Sequence, residues 1–281
     1  MRMAVMTAAP DYEAEYNNRA RVPEHPAIIE GWARDAAAYR AANPPTTMEY
    51  GPGERNRIDL FPGTGSEPAP RALLFIHGGY WQTLDRPFFS HCARGLNARG
   101  VAVAVPSYSL CPEVRVGDIV DELRAVVRML SSYRAGLVAA GHSAGGHLAA
   151  CLLATDWPAL DAALPPRLVT SAYAISGLFD LRPLVPTSVN AALRLDDREA
   201  ERLSPLFWPA PTGSSLDALV GAGESGEYHR QSRTIAERWG EAGVRTRFET
   251  SAGANHFTVL APLADPASPM VSRLAELAGE P

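Results

Sequence analysis

Gly141-His142-Ser143-Ala144-Gly145-Gly146 decides how this chain is read. Before it, Ala135-Gly136-Leu137-Val138-Ala139-Ala140 has the unbroken apolar character of a short buried strand. After it, His147-Leu148-Ala149-Ala150-Cys151-Leu152-Leu153-Ala154 reads as an apolar helix. A strand entering a helix through Gly-x-Ser-x-Gly turns so tightly that the serine is strained and its neighbours must be small. The turn lifts the hydroxyl above the sheet edge, and the helix start leaves backbone N–H groups free for a developing negative charge. Ser143 is the candidate nucleophile.

Composition sets the outer limits. A length of 281 residues suits one large α/β domain spanning 1–281. A hydrophobic share of 46% with 20% charged residues is that of a globule with a sizeable core. The net charge of −5, without a basic stripe, argues against nucleic acid as a partner. No apolar run approaches the roughly 18 residues that a membrane span needs. The first 16 residues lack the charged start and apolar run of a signal peptide. Cys92, Cys111 and Cys151 stand singly, as buried thiols in a reducing compartment would. A cytoplasmic protein acting on a small molecule is expected, with a homodimer kept open as its assembly. No metal or cofactor is expected. His142 and His147 lack the spacing of a helical zinc pair, and the Gly-rich stretches lack the dinucleotide fingerprint and the phosphate-loop lysine.

The rest of the chain supplies the frame. Residues 1–45 form an N-terminal helical segment whose helix over 28–39 is stopped by Asn43-Pro44-Pro45. Strands over 46–50 and 56–61 flank Gly51-Pro52-Gly53 as a hairpin, and 62–70 is a turn-rich connection. Apolar strands over 72–77, 101–105, 137–141, 171–176, 217–221 and 245–250 then alternate with helical stretches. That pattern predicts a parallel sheet covered by helices on both faces. Helices are expected over 118–133 (capped by Asp118), 227–240 and 269–278 (capped by Ser268). Eight strands, mostly parallel, make the α/β-hydrolase count. Residues 178–211, rich in proline and aromatics, are read as a small cap insertion over that sheet.

A second motif, His77-Gly78-Gly79-Tyr80-Trp81, ends the strand over 72–77. Its glycines let the backbone turn amides inward, so Gly79, Tyr80 and Ala144 are the candidate oxyanion donors. His77 is read as tying this loop, and Trp81 as a packing anchor or a pocket wall. The base belongs on a loop after the last strand, where His256 stands in Gly253-Ala254-Asn255-His256-Phe257. Three carboxylates compete for the acid. Glu224 directly follows the penultimate strand, Glu227 starts the next helix, and Asp180 follows the strand before. Position favours Glu224.

These motifs resemble the kynurenine formamidase (arylformamidase) branch of the α/β-hydrolases. The resemblance extends to Ser176-Gly177-Leu178-Phe179-Asp180-Leu181-Arg182-Pro183-Leu184, to residues 224–232 and to Asn255-His256-Phe257, and covers most of 46–263. It implies that Ser143, Glu224 and His256 occupy the triad positions, although the family often carries aspartate where Glu224 stands. It also implies a metal-independent serine hydrolase of small-acyl aryl amides or esters, with N-formylkynurenine as the expected substrate. A general short-chain carboxylesterase is the alternative, and a non-catalytic binding protein on the same scaffold is the third reading. Aromatic residues Trp81, Phe179, Trp208, Tyr228 and Phe257 are the expected pocket walls, with Phe207 also available from the insertion.

Overall fold

A computed structural model describes residues 10–64, 69–132 and 136–279. Its centre is an eight-stranded sheet of order β1-β2-β4-β3-β5-β6-β7-β8. The strands are β1 (Thr46–Glu49), β2 (Arg57–Phe61), β3 (Ala72–Ile76), β4 (Val103–Pro106), β5 (Leu137–His142), β6 (Val169–Ile175), β7 (Ser215–Gly221) and β8 (Arg245–Ser251). β2 pairs antiparallel with β1 and β4, and every pairing from β4 through β8 is parallel. This is the α/β-hydrolase architecture, and all eight expected strands are present.

The two-residue period of a strand divides the core in two. Ala72, Leu74 and Ile76 of β3 join Leu148 and Ile119 in one buried cluster, whereas Leu73 and Phe75 join Phe89 and Leu274 in the other. A parallel strand covered on both faces must be apolar on both, which is why β3 reads as a continuous run. The helix Ala144–Leu153 is buried along its whole length beneath the first face. The helix Pro269–Ala278, capped by Ser268, closes the second face.

Several expected boundaries move by one to four residues, and one of these shifts changes a cap. The helix placed over 118–133 begins at Val116 and ends at Met129. Asp118 is one turn inside it, accepting a hydrogen bond from the Arg115 N–H at 2.8 Å, so Arg115 holds the cap position. Tyr133, the expected end, lies outside the described residues.

Two segments cover the carboxyl ends of the strands. Residues 178–211 carry the short helices Arg182–Leu184, Asn190–Leu193, Asp197–Arg202 and Pro205–Phe207, anchored by buried Leu178, Leu181, Leu184 and Leu193. The N-terminal segment contributes Tyr12–Tyr16, Asn18–Arg21 and the long helix His25–Ala42. It is tied down by side chains about 210 positions away: Tyr16 donates to Glu227 Oε2 at 2.8 Å, and Asn18 donates to the Tyr228 hydroxyl at 2.8 Å.

Candidate active site

Ser143 is the pivot between β5 and its helix, and its backbone sits at φ +56° and ψ −118°. An L-residue is strained there, and the close packing around it explains why the strain persists. A Cβ on Gly141 would lie 2.2 Å from the Gly145 carbonyl oxygen, and one on Gly145 would lie 2.0 Å from that of Ile76. No side chain fits at either position. Ala144 opens the helix, so its N–H has no intrahelical acceptor.

The His-Gly-Gly loop faces this elbow. A Cβ on Gly78 would touch Ser143 Cβ at 3.1 Å, and Gly79 and Tyr80 line the same pocket as Ser143. Gly79, Tyr80 and Trp81 all have positive φ, at +111°, +50° and +56°, so this turn is as strained as the elbow. Buried His77 holds it from behind. Its ring stacks on Tyr108 at 4.2 Å and on Phe89 at 5.6 Å, and its Nδ1–H donates to the Gly78 carbonyl at 2.7 Å. Burial pushes the His77 pKa down to about 4, so the ring stays neutral.

His256 and Glu224 meet across the ends of β8 and β7. His256 Nδ1 donates to Glu224 Oε2 at 2.6 Å, while Oε1 accepts from the Gly221 N–H at 2.7 Å and the Ser176 hydroxyl at 2.5 Å. A carboxylate only accepts, so the imidazole proton is on Nδ1 and the lone pair is on Nε2. The imidazole is wedged among Tyr228 at 4.7 Å, His142 at 4.7 Å and Phe257 at 5.6 Å between ring centres. His142 also donates its Nε2–H to the His256 carbonyl at 2.8 Å, fixing the loop that carries His256.

The rival carboxylates are committed elsewhere. Asp180 pairs with Arg182 at 2.9 Å, and Glu227 with Arg230 at 2.7 Å and the Tyr16 hydroxyl. Neither touches His256. Among the described residues, no group of three or more His, Cys, Asp or Glu is placed to hold a metal ion.

The pocket above Ser143 and His256 has a volume of about 400 Å³. Of the five expected aromatic walls, only Phe257 lines it directly. Tyr228 lies immediately behind, its ring on His256 and its hydroxyl bonded to Asn18 and to the Tyr80 hydroxyl at 2.7 Å. The other three are corrections. Trp81 is fully buried against His147 at 5.1 Å between ring centres, a packing anchor rather than a wall. Phe179 is buried in the core beneath the insertion, its ring filling the space beside Gly177. Trp208 turns outward, donating to the Arg202 carbonyl with Arg124 over its ring. Phe207 likewise faces Arg182 at 4.4 Å.

The missing walls come from the N-terminal segment rather than from the insertion. Glu13, Tyr16, Asn18, Arg19, Ile29 and Trp32 all line the pocket, and the insertion adds only Thr187, Ser188 and Val189. Within Tyr16-Asn17-Asn18-Arg19 only Tyr16 and Asn18 are buried, and their partners lie about 210 residues away, where no local pattern points to them. Ser176, which donates to Glu224, carries φ +52° at the end of β6 and has no local signal in the sequence.

The α/β-hydrolase fold family Abhydrolase_3 matches residues 73–260. Kynurenine formamidase of Danio rerio is 32% identical over 226 residues, covering 78% of this chain and 76% of that protein. The Drosophila melanogaster kynurenine formamidase is 30% identical, with coverage of 76% and 74%. A crystal structure from Silicibacter sp., described as a proposed thioesterase, is 33% identical with a TM-score of 0.82, covering 94% of this chain and 98% of that one. The Pyrobaculum calidifontis esterase, 18% identical with a TM-score of 0.68, shares the fold.

Proposed function

The chain belongs to the kynurenine formamidase family of α/β-hydrolases, and from that premise we propose that it is an arylformamidase, releasing formate from N-formylkynurenine. The observation that carries the reading is the buried Glu224–His256 hydrogen bond, whose imidazole lines the same pocket as Ser143.

In this reading His256 Nε2 takes the Ser143 proton as Oγ attacks the formyl carbon. Glu224, held by Gly221 and Ser176, keeps the proton on Nδ1 and stabilises the imidazolium that forms. The N–H groups of Ala144 and of Gly79 or Tyr80 bind the oxyanion, and each such donor contributes about 3 kcal/mol. His256 then protonates the leaving arylamine, and water releases formate from the serine. Ile29, Trp32, Leu84 and Phe257 give the leaving group an apolar bed. Tyr80, half-buried beside the nucleophile, crowds the acyl side and favours formyl over long chains.

The Silicibacter likeness favours a second reading on the same machinery, hydrolysis of short-chain esters or thioesters. Comparing kcat/KM for N-formylkynurenine with that for acetyl and octanoyl p-nitrophenyl esters tests the choice. The formamide and acetyl ester should lead, whereas octanoyl preference without deformylation would leave the esterase reading. We place the protein in the cytoplasm, in keeping with three buried, unpaired cysteines. No helix among the described residues is long and apolar enough to cross a membrane.

A further inference from the structure

Among the described residues, one arginine lines the mouth of the pocket. Arg19 lines the pocket from the short helix Asn18–Arg21 and is exposed to solvent. Among the described residues, its guanidinium has neither an ion-pair nor a hydrogen-bond partner. The other charges nearby are engaged. Arg21 pairs with Glu15 at 3.1 Å and donates to the Ala14 carbonyl, and Glu13 accepts from the Ser188 N–H and hydroxyl, both at 2.7 Å.

The backbone that presents Arg19 is fixed. The preceding Asn18 is buried and bonded to Tyr228, and the Tyr16 carbonyl accepts the Tyr80 hydroxyl at 2.7 Å. Tyr80 and Tyr228 in turn adjoin the elbow and His256. A planar five-donor cation thus stands on a rigid base at the rim of the pocket that Ser143 lines. A guanidinium in that position recognises a carboxylate, which it can take on two parallel hydrogen bonds.

We propose that Arg19 binds the carboxylate at the far end of the leaving group, so that the site selects aryl amides or esters carrying an acidic side arm. This inference rests on the arylformamidase reading for the identity of the substrate, but Arg19's preference for anionic leaving groups does not depend on the acyl group.

The test is steady-state kinetics of wild type, Arg19→Gln and Arg19→Lys on two matched pairs. The first pair is N-formylkynurenine and 2-formamidoacetophenone, which keeps the formanilide and ketone but lacks the amino-acid end. The second is 3-(4-acetoxyphenyl)propanoate and 4-propylphenyl acetate. Arg19→Gln should lower kcat/KM for the charged member of each pair about tenfold or more, through KM. The neutral member should change less than about twofold, which also reports an intact fold. Lysine, retaining charge without the fork, should fall between. If neither formamide is cleaved, the arylformamidase reading fails while the ester pair still decides on Arg19. Equal loss on charged and neutral members, or no loss on either, would overturn the proposal.

Discussion

Glu224 and His256, 32 residues apart, meet at 2.6 Å at the ends of adjacent parallel strands, and Ser176 and Gly221 occupy the other carboxylate oxygen. Both oxygens of that carboxylate are thereby engaged, which fixes the edge it presents to the imidazole. Replacing Glu224 by glutamine puts an NH₂ group where one of these donors must be accepted. Glu224→Gln should lower kcat by about 10²- to 10⁴-fold. Asp180→Asn, which loosens only the pair with Arg182, should stay within about threefold of wild type. The reverse order in a kcat comparison would assign the acid to Asp180.

The elbow, the loop at Gly79 and the placement of His256 were legible because each depends on local chemistry. Gly-x-Ser-x-Gly needs small neighbours within one turn, and His256 needs only its place after the last strand. Glu224 was legible by position alone, and what distinguishes it from Glu227 is a contact with His256 that no local pattern contains. The pocket walls were not legible. Phe179 and Trp208 lie in the expected insertion, yet Phe179 is buried and Trp208 packs under Arg124, and neither lines the pocket. The N-terminal segment takes their place through pairings about 210 residues apart, for which a sequence offers no periodicity.

That roof yields a prediction. The Tyr16 hydroxyl is buried, donating to Glu227 and accepting from Gln231 at 2.9 Å. Tyr16→Phe leaves both partners short of a bond and should cost about 1–3 kcal/mol in urea unfolding. Because Asn18 and Arg19 lie two and three residues on, KM should rise more than kcat falls. An unchanged KM alongside the lost stability would separate the roof from substrate binding.

Stability should also fall in mild acid. Burial pushes the His77 and His147 pKa values down to about 4, and that of His142 well below its ordinary value. The unfolded chain binds these protons from about pH 6.5 downward while the folded protein refuses them. The associated stability is complete above pH 6.5 and is lost as pH falls towards 4, by about 3 kcal/mol for each of His77 and His147. The urea midpoint should be flat between pH 7 and 8 and drop steeply between 6 and 4.5. A midpoint independent of pH across that range would mean these rings are not buried neutral.

The central claim is that Ser143, worked by His256 and Glu224, deformylates an aryl amide. Its most direct measurement is the rate of kynurenine release from N-formylkynurenine by wild type and Ser143→Ala, with circular dichroism to verify equal folding. Wild type should turn over with multiple cycles per enzyme, and the alanine variant should lose about 10⁴-fold or more of kcat while its spectrum is unchanged. Comparable release by the two folded proteins would contradict the account.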